Sequence, residues 1–304
     1  MPVVDGSAPI TLSPLHMVRT HVIAERGNSV PAILDTVSRW DQHFAVASRS
    51  GRNLVLKEAH DLETVREFYE ETRRSFEIHS AQHLTKVSGS WYTVIEAIGH
   101  LDHIGELGGV PATGKTIHNP TVVIFPTWSD GIIGEISWWR HDVADVIHGR
   151  AVLPASPAAA YPHNDGGIER AHTIHERWIH TWATNDVAAR LALFDDGPIL
   201  VVDRTAEVDG PRRTRAILRD QAALEAHLTA AESGRIEDIQ VLNLVCATWY
   251  IFSETLLTVV IPEGKRQRRH VALYPINQAS GRLMGELSYA LDFCSSSSPG
   301  DRVS

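Results

Sequence analysis

A pentapeptide that recurs at half the chain length limits what this chain can fold into. Gly134-Glu135-Ile136-Ser137-Trp138 is matched by Gly285-Glu286-Leu287-Ser288-Tyr289, an offset of 151 in a chain of 304 residues. Near the start of each half, Arg26-Gly27-Asn28-Ser29-Val30 and Ala183-Thr184-Asn185-Asp186-Val187 follow a helical run at an offset of 157. Two matches in the same order with near-equal offsets predict a tandem duplication. Residues 149–167, GRAVLPASPAAAYPHNDGG, carry small residues, Pro and Gly without a period and read as a linker. The expected organisation is a first domain over 1–148, this linker, a second domain over 168–294 and a polar, disordered tail over 295–304.

Each half shows helical segments first and strands last. Leu15 to Glu25, Leu62 to Phe76 and Ile168 to Ala183 have helical spacing, with Asp61 as N-cap of the second. Trp91 to Leu101, Thr121 to Trp128, Ile132 to Trp139, Val241 to Val260, Arg269 to Tyr274 and Leu283 to Tyr289 read as strands. Helices followed by antiparallel-type strands predict an α+β fold.

Composition narrows the partners. Lys+Arg 28 against Asp+Glu 37 gives a formal charge of -9, so the chain has no basic footprint for nucleic acid or an anionic membrane surface. Cys246 and Cys294 cannot build a disulfide scaffold, and Met1 to Pro14 lacks the basic-then-apolar order of a signal peptide, so the expected setting is cytoplasmic. The longest apolar run, Val241 to Ile261, is broken by Asn243, Ser253 and Glu254 and reads as sheet, not a membrane span.

Two motif matches fail on context. Gly109 to Thr116 fits the phosphate-binding loop GxxxxGK followed by Ser or Thr, but β-branched residues and Pro120 follow it where a helix should begin. A turn between two strands is expected instead. His175-Glu176 with His180 resembles a zinc-protease helix, yet residues at i and i+5 lie about 140° apart, against about 40° for i and i+4. His172 and His175 are read as sharing a partly exposed helix face. The pairs His79/His83 and His100/His103 do not supply three convergent ligands, and no metal site is assigned.

More informative is the strand WYTVIEAIGHL, where alternation puts Val94, Glu96, Ile98 and His100 on one face. Along Ile132 to Trp139, Glu135, Ser137 and Trp139 share a face. A carboxylate on an apolar concave surface has a raised pKa, which is how a base or acid near neutral pH is obtained. The alternative is that Glu96 and Glu135 face solvent or form cross-strand pairs.

The first half resembles the SnoaL-like polyketide cyclases of the nuclear-transport-factor-2-like superfamily. The residues that carry this are the glycine-rich turn Gly105 to Lys115 ending in Pro111-Ala-Thr-Gly-Lys, the strand Asp130-Gly131-Ile-Ile-Gly-Glu135-Ile-Ser-Trp138 followed by Asp142, and Arg66 with Phe68-Tyr69. The resemblance implies a cone: a curved antiparallel sheet wrapped around helices and enclosing an apolar pocket. It also implies cyclase, isomerase or dehydratase chemistry without a cofactor, and pairing through the sheet, here as an intramolecular pseudo-dimer or further as a homodimer. The second half has Pro262 to Arg269 in place of the turn, so its chemistry is expected to be degenerate.

The expected activity is acid/base chemistry on a hydrophobic polyketide-like or terpenoid-like carbonyl compound. His100, Glu135, Asp142 and Glu96 are the candidate acid/base set, with Asp41 and His43 behind them. Trp91, Trp138, Trp139, Phe125 and Tyr69 are the candidate walls. The competing expectation is a pocket protein that binds a small molecule or a partner without catalysis; two titratable groups within hydrogen-bond reach inside the pocket would separate the two.

Overall fold

The order and register of the strands define the fold. The computed structural model describes residues 12–39, 42–50, 53–107, 109–151, 166–197, 199–207, 213–230, 235–261 and 264–294. The chain divides into two compact units, the first built mainly from described residues up to 151 and the second mainly from those from 166 onward. In the first, α1 (Pro14–Arg26), α2 (Val30–Leu34), β1 (His43–Ser50), β2 (Asn53–Ala59) and α3 (Leu62–Ser75) precede β3 (Phe76–Ser88), β4 (Tyr92–His103), β5 (Thr116–Trp128), β6 (Gly131–Ile132), β7 (Gly134–Trp139) and α4 (Val143–Ile147). They form a seven-stranded sheet ordered β2-β1-β7-β5-β4-β3, with β6 on β5.

The second unit repeats this order, except that α4 has no counterpart among its described residues. Here α5 (Gly167–Thr184), α6 (Val187–Leu191), β8 (Leu200–Glu207), β9 (Arg213–Leu218) and α7 (Gln221–Ala230) precede β10 (Arg235–Cys246), β11 (Tyr250–Ile261), β12 (Gly264–Asn277), β13 (Arg282–Leu283) and β14 (Gly285–Cys294). The order β9-β8-β14-β12-β11-β10, with β13 on β12, is the first sheet's order restated. The repeat read from the sequence is therefore structural. Glu135 stands opposite Phe44 on β1, and Glu286 opposite Val201 on β8. Asn28 and Asn185 close α1 and α5 in the left-handed region, at φ 54 and 52.

Local chemistry explains the helix starts. Ser13 caps α1 and Pro14 occupies its first turn, where a missing N–H costs nothing. Asp61 caps α3 in a reciprocal box with Thr64. The helices of the first unit set Val18, Ile33, Val65 and Phe68 against Phe44, Ile95, Val123 and Phe125 of the sheet. A smaller cluster, Phe76, Leu101, Ile117, Val143 and Ile147, closes one end beneath α4.

Three expectations are corrected. The helices do not all precede the strands, because the pair β1–β2 lies between α2 and α3. The sheets are mixed rather than purely antiparallel, since β1 runs parallel to β7 and β8 parallel to β14. Val241 to Val260 is two strands, β10 and β11, joined by a turn at 247–249. Most of the expected linker and all of the expected tail lie outside the described residues, and α5 already begins at Gly167.

Candidate active site

The buried stripe of α1 runs through Met17, Val18 and His21, and continues one turn on to Glu25. His21 is fully buried. Its Nδ1 lies 2.6 Å from Thr36 Oγ1, and its Nε2 lies 3.0 Å from the Tyr69 hydroxyl on α3. Tyr69 in turn donates to Glu135 Oε2 on β7 at 2.7 Å. Glu25 Oε1 and Glu135 Oε2 each stand 3.9 Å from His21 Nε2. Elements distant in sequence thus converge on one cluster of four titratable groups.

The hydrogen bonds count the protons. Thr36 donates its hydroxyl proton to the Ile33 carbonyl at 2.6 Å, so its oxygen must accept from His21 Nδ1–H. Tyr69 gives its single proton to Glu135, and its hydroxyl oxygen lies within hydrogen-bond reach of His21 Nε2. Burial and the two neighbouring carboxylates push the Tyr69 hydroxyl well above its ordinary range, so it stays protonated. Burial, reinforced by the Glu135 charge, pushes Glu25 up to about 7 against the opposing pull of His21 and Arg73.

This cluster forms one wall of a cavity of about 370 Å3, within the usual size range of small-molecule sites. Glu25, Tyr69 and Glu135 face Val46, Val55, Phe76, Ile78 and Leu107 across it. At an exposed position on its lining, Lys57 pairs with Glu71 at 2.5 Å and stands over the Phe68 ring at 4.9 Å. A second pocket of about 150 Å3, lined by Ala97, Val123 and Phe125, shares Glu25, Ile78, Glu135 and Trp139 with the first.

Of the residues singled out in the sequence, Glu135, Tyr69, Phe125 and Trp139 face these cavities. Asp142 lines the larger one, but its carboxylate caps α4 through the Asp145 N–H and accepts from Ser48 Oγ at 2.9 Å. Glu96 and His100 are corrected. Ile95, Ala97, Gly99 and Leu101 of β4 face the cavity, so the alternate residues Glu96 and His100 point from the opposite face. There the His100 ring meets His118 edge-on at 4.4 Å. Burial and that neighbour depress the His100 pKa. His43 also lies opposite the cavity, since its neighbour Phe44 packs in the core. Trp91 and Trp138 are buried but line neither pocket. Asp41 lies outside the described residues.

The glycine-rich turn has a structural role. Gly105 packs so close that a Cβ would lie 1.9 Å from the Arg74 carbonyl, and buried His103 holds Thr113 through Nδ1 at 3.0 Å. Lys115 leads into β5, not a helix, and its Nζ donates to the Ile147 carbonyl. The phosphate-loop reading therefore stays rejected. His175 is corrected as well: it is buried and bound to Ser253 Oγ at 2.8 Å, and burial pushes it down to about 4.

His21 and Glu25 were missed. The signal was present, because 17, 18, 21, 22 and 25 form one helical stripe with two titratable residues in it. In the second unit the same stripe carries Trp178 and Trp182, 5.7 Å apart, with the Arg190 guanidinium 5.5 and 5.6 Å from their rings. The α7 position matching Tyr69, counted from the capping residues Asp61 and Asp220, is Leu228. Only Glu286 remains, paired with His270 at 3.2 Å.

Fold and site together define an α+β domain in which a hydrogen-bonded cluster of titratable groups borders an apolar cavity. The chain is similar in fold to SnoaL-like polyketide cyclases and nuclear-transport-factor-2-like proteins, each matching about half of it. A SnoaL-like polyketide cyclase structure from Jannaschia is 16% identical, over 51% of this chain and 96% of its own, with a TM-score of 0.37. For an isomerase structure from Bacillus subtilis the figures are 12%, 46%, 95% and 0.37. For a Mycobacterium tuberculosis protein in complex with estradiol-17β-hemisuccinate they are 16%, 39%, 92% and 0.33. No family profile matches the chain. No curated protein matches it either.

Proposed function

We propose that the first unit is a cofactor-free acid/base enzyme of the isomerase, cyclase or dehydratase type. Its substrate is a hydrophobic carbonyl compound, polyketide-like or terpenoid-like, bound in the apolar cavity. The observation that carries this reading is the contact of Tyr69 with both Glu135 and His21, beside a Glu25 held near neutrality. A base that titrates near 7 is half ionised at neutral pH yet strong enough to take a carbon-bound proton.

In this mechanism the Glu25 carboxylate removes a proton next to the substrate carbonyl. The electron pair moves onto the carbonyl oxygen, which is met by a hydrogen bond from Tyr69. His21 touches neither cavity and acts as a positioning residue that holds the Tyr69 hydroxyl. The proton held by Glu25 then goes to another carbon, completing an isomerisation; to a departing β-hydroxyl, which leaves as water in a dehydration; or to the alkoxide formed when the enolate attacks a second carbonyl, closing a ring.

The test is deuterium exchange next to the carbonyl, followed by NMR over a panel of hydrophobic ketones in D2O. Glu25→Gln and Tyr69→Phe are expected to slow exchange by about 100-fold or more, whereas Glu96→Gln, on the opposite face, leaves it unchanged. Equal rates in wild type, Glu25→Gln and Tyr69→Phe sink the proposal. A second reading, favoured by the apolar wall of Val46, Val55, Phe76 and Leu107, is a carrier of such compounds. It predicts a ligand retained on purification, seen by native mass spectrometry, with no exchange.

A further inference from the structure

On the face of the first sheet opposite the cavity, three potential metal ligands come together. His43 on β1 is buried, Glu58 on the edge strand β2 is half-buried, and His60, two residues further on, is exposed. The spacing of Glu58 and His60 gives both side chains the same side of an extended chain. His43 Nε2 lies 2.9 Å from Glu58 Oε1, and the His60 ring stacks on that of His43 at 5.3 Å. One ligand atom from each residue falls within 4.8 Å of the others. We propose that His43, Glu58 and His60 bind a divalent cation of the zinc class.

The geometry needs little adjustment. Metal–nitrogen and metal–oxygen bonds of about 2.1 Å at tetrahedral angles put neighbouring ligand atoms about 3.4 Å apart. The His43–Glu58 contact opens by about half an ångström as the ion replaces the proton between them. The exposed His60 ring turns to supply the third bond. Two imidazoles and one carboxylate match zinc, nickel or copper better than calcium or magnesium, and three protein ligands leave a coordination position for water. The cavity cluster His21, Glu25 and Glu135 has similar spacing. It is the weaker candidate, because the Tyr69 hydroxyl bridges His21 and Glu135, while Thr36 engages the other ring nitrogen.

Calorimetric titration of the full chain with zinc chloride tests this. One equivalent is expected to bind, with affinity lowered at least about tenfold in His60→Ala and in Glu58→Gln and retained in Glu25→Gln. Cobalt bound in its place gives the visible absorption of a four-coordinate ion, lost in the same two variants. The proposal is overturned if zinc shows no saturable uptake, or if uptake is the same in His60→Ala and Glu58→Gln as in wild type. His60 is exposed, so removing its ring opens no cavity in the core. The outcome is independent of the acid/base reading, since neither His60 nor Glu58 lines the cavity beside Tyr69.

Discussion

Glu25 sits where a helical stripe ordinarily places an apolar side chain. Its carboxyl is raised from 4.5 to about 7 in the folded protein, so between those values the native state binds a proton that the unfolded chain releases. Stability therefore falls as pH rises from about 4.5 to 7, and the full penalty remains above that range. Glu25→Gln is expected to flatten this slope and to raise the melting temperature at pH 8 but not at pH 4. The limit is about 3 kcal/mol at 1.36 kcal/mol per pH unit. Equal melting temperatures at pH 8 would refute the assignment. Glu135 and Tyr69 were legible as candidates because each belongs to a recognisable short motif. For His21 and Glu25 the stripe marked a buried face without marking a role, since a helix stripe alone does not tell which of its residues meets a hydroxyl from α3 and a carboxylate from β7.

At the scale of elements, period-two alternation says which residues share a face but not which face is inside. On β4 the run Val94 to Ile98 is buried on both faces, so no contrast in polarity marks the cavity side, and Glu96 and His100 were assigned to the wrong one. The strand β3 escaped for another reason. Register shifts between Ile78 and Ser80 and between His83 and Thr85 break its alternation, and it follows α3 without a turn residue. By contrast, the glycine opening each repeat pentapeptide was legible and is now explained in the second unit. A Cβ at Gly285 would lie 2.1 Å from the Leu200 carbonyl, where β14 meets β8. Gly285→Ala is expected to cost about 2 kcal/mol or more in a urea melt, while leaving ketone exchange at the first unit's cavity unaltered in native buffer. An unchanged melt would show that β14 and β8 have room to part.

For the whole molecule, the halves share a strand order while their interiors have diverged, which the motif-level comparison anticipated only in outline. We propose the boundaries 1–148 and 168–294 for two separately folding domains. A fragment ending at residue 151 is expected to melt cooperatively and to keep ketone exchange within about threefold of the full chain. A fragment without cooperative unfolding would refute separate folding. The parallel pairing of β1 with β7, and of β8 with β14, bears on how such a chain is made. Each sheet joins an early strand to its last, across more than eighty residues, a contact that forms slowly because a long loop must close first. On the ribosome the cavity's cluster cannot assemble until β7 has emerged, because Glu135 arrives with the final strand of its unit. If β1 is still unpaired when β14 emerges, that later strand offers it the same geometry. The different side chains lining the two interiors, His21 and Tyr69 in one and Trp178 and Leu228 in the other, give each first strand a reason to wait for its own partner.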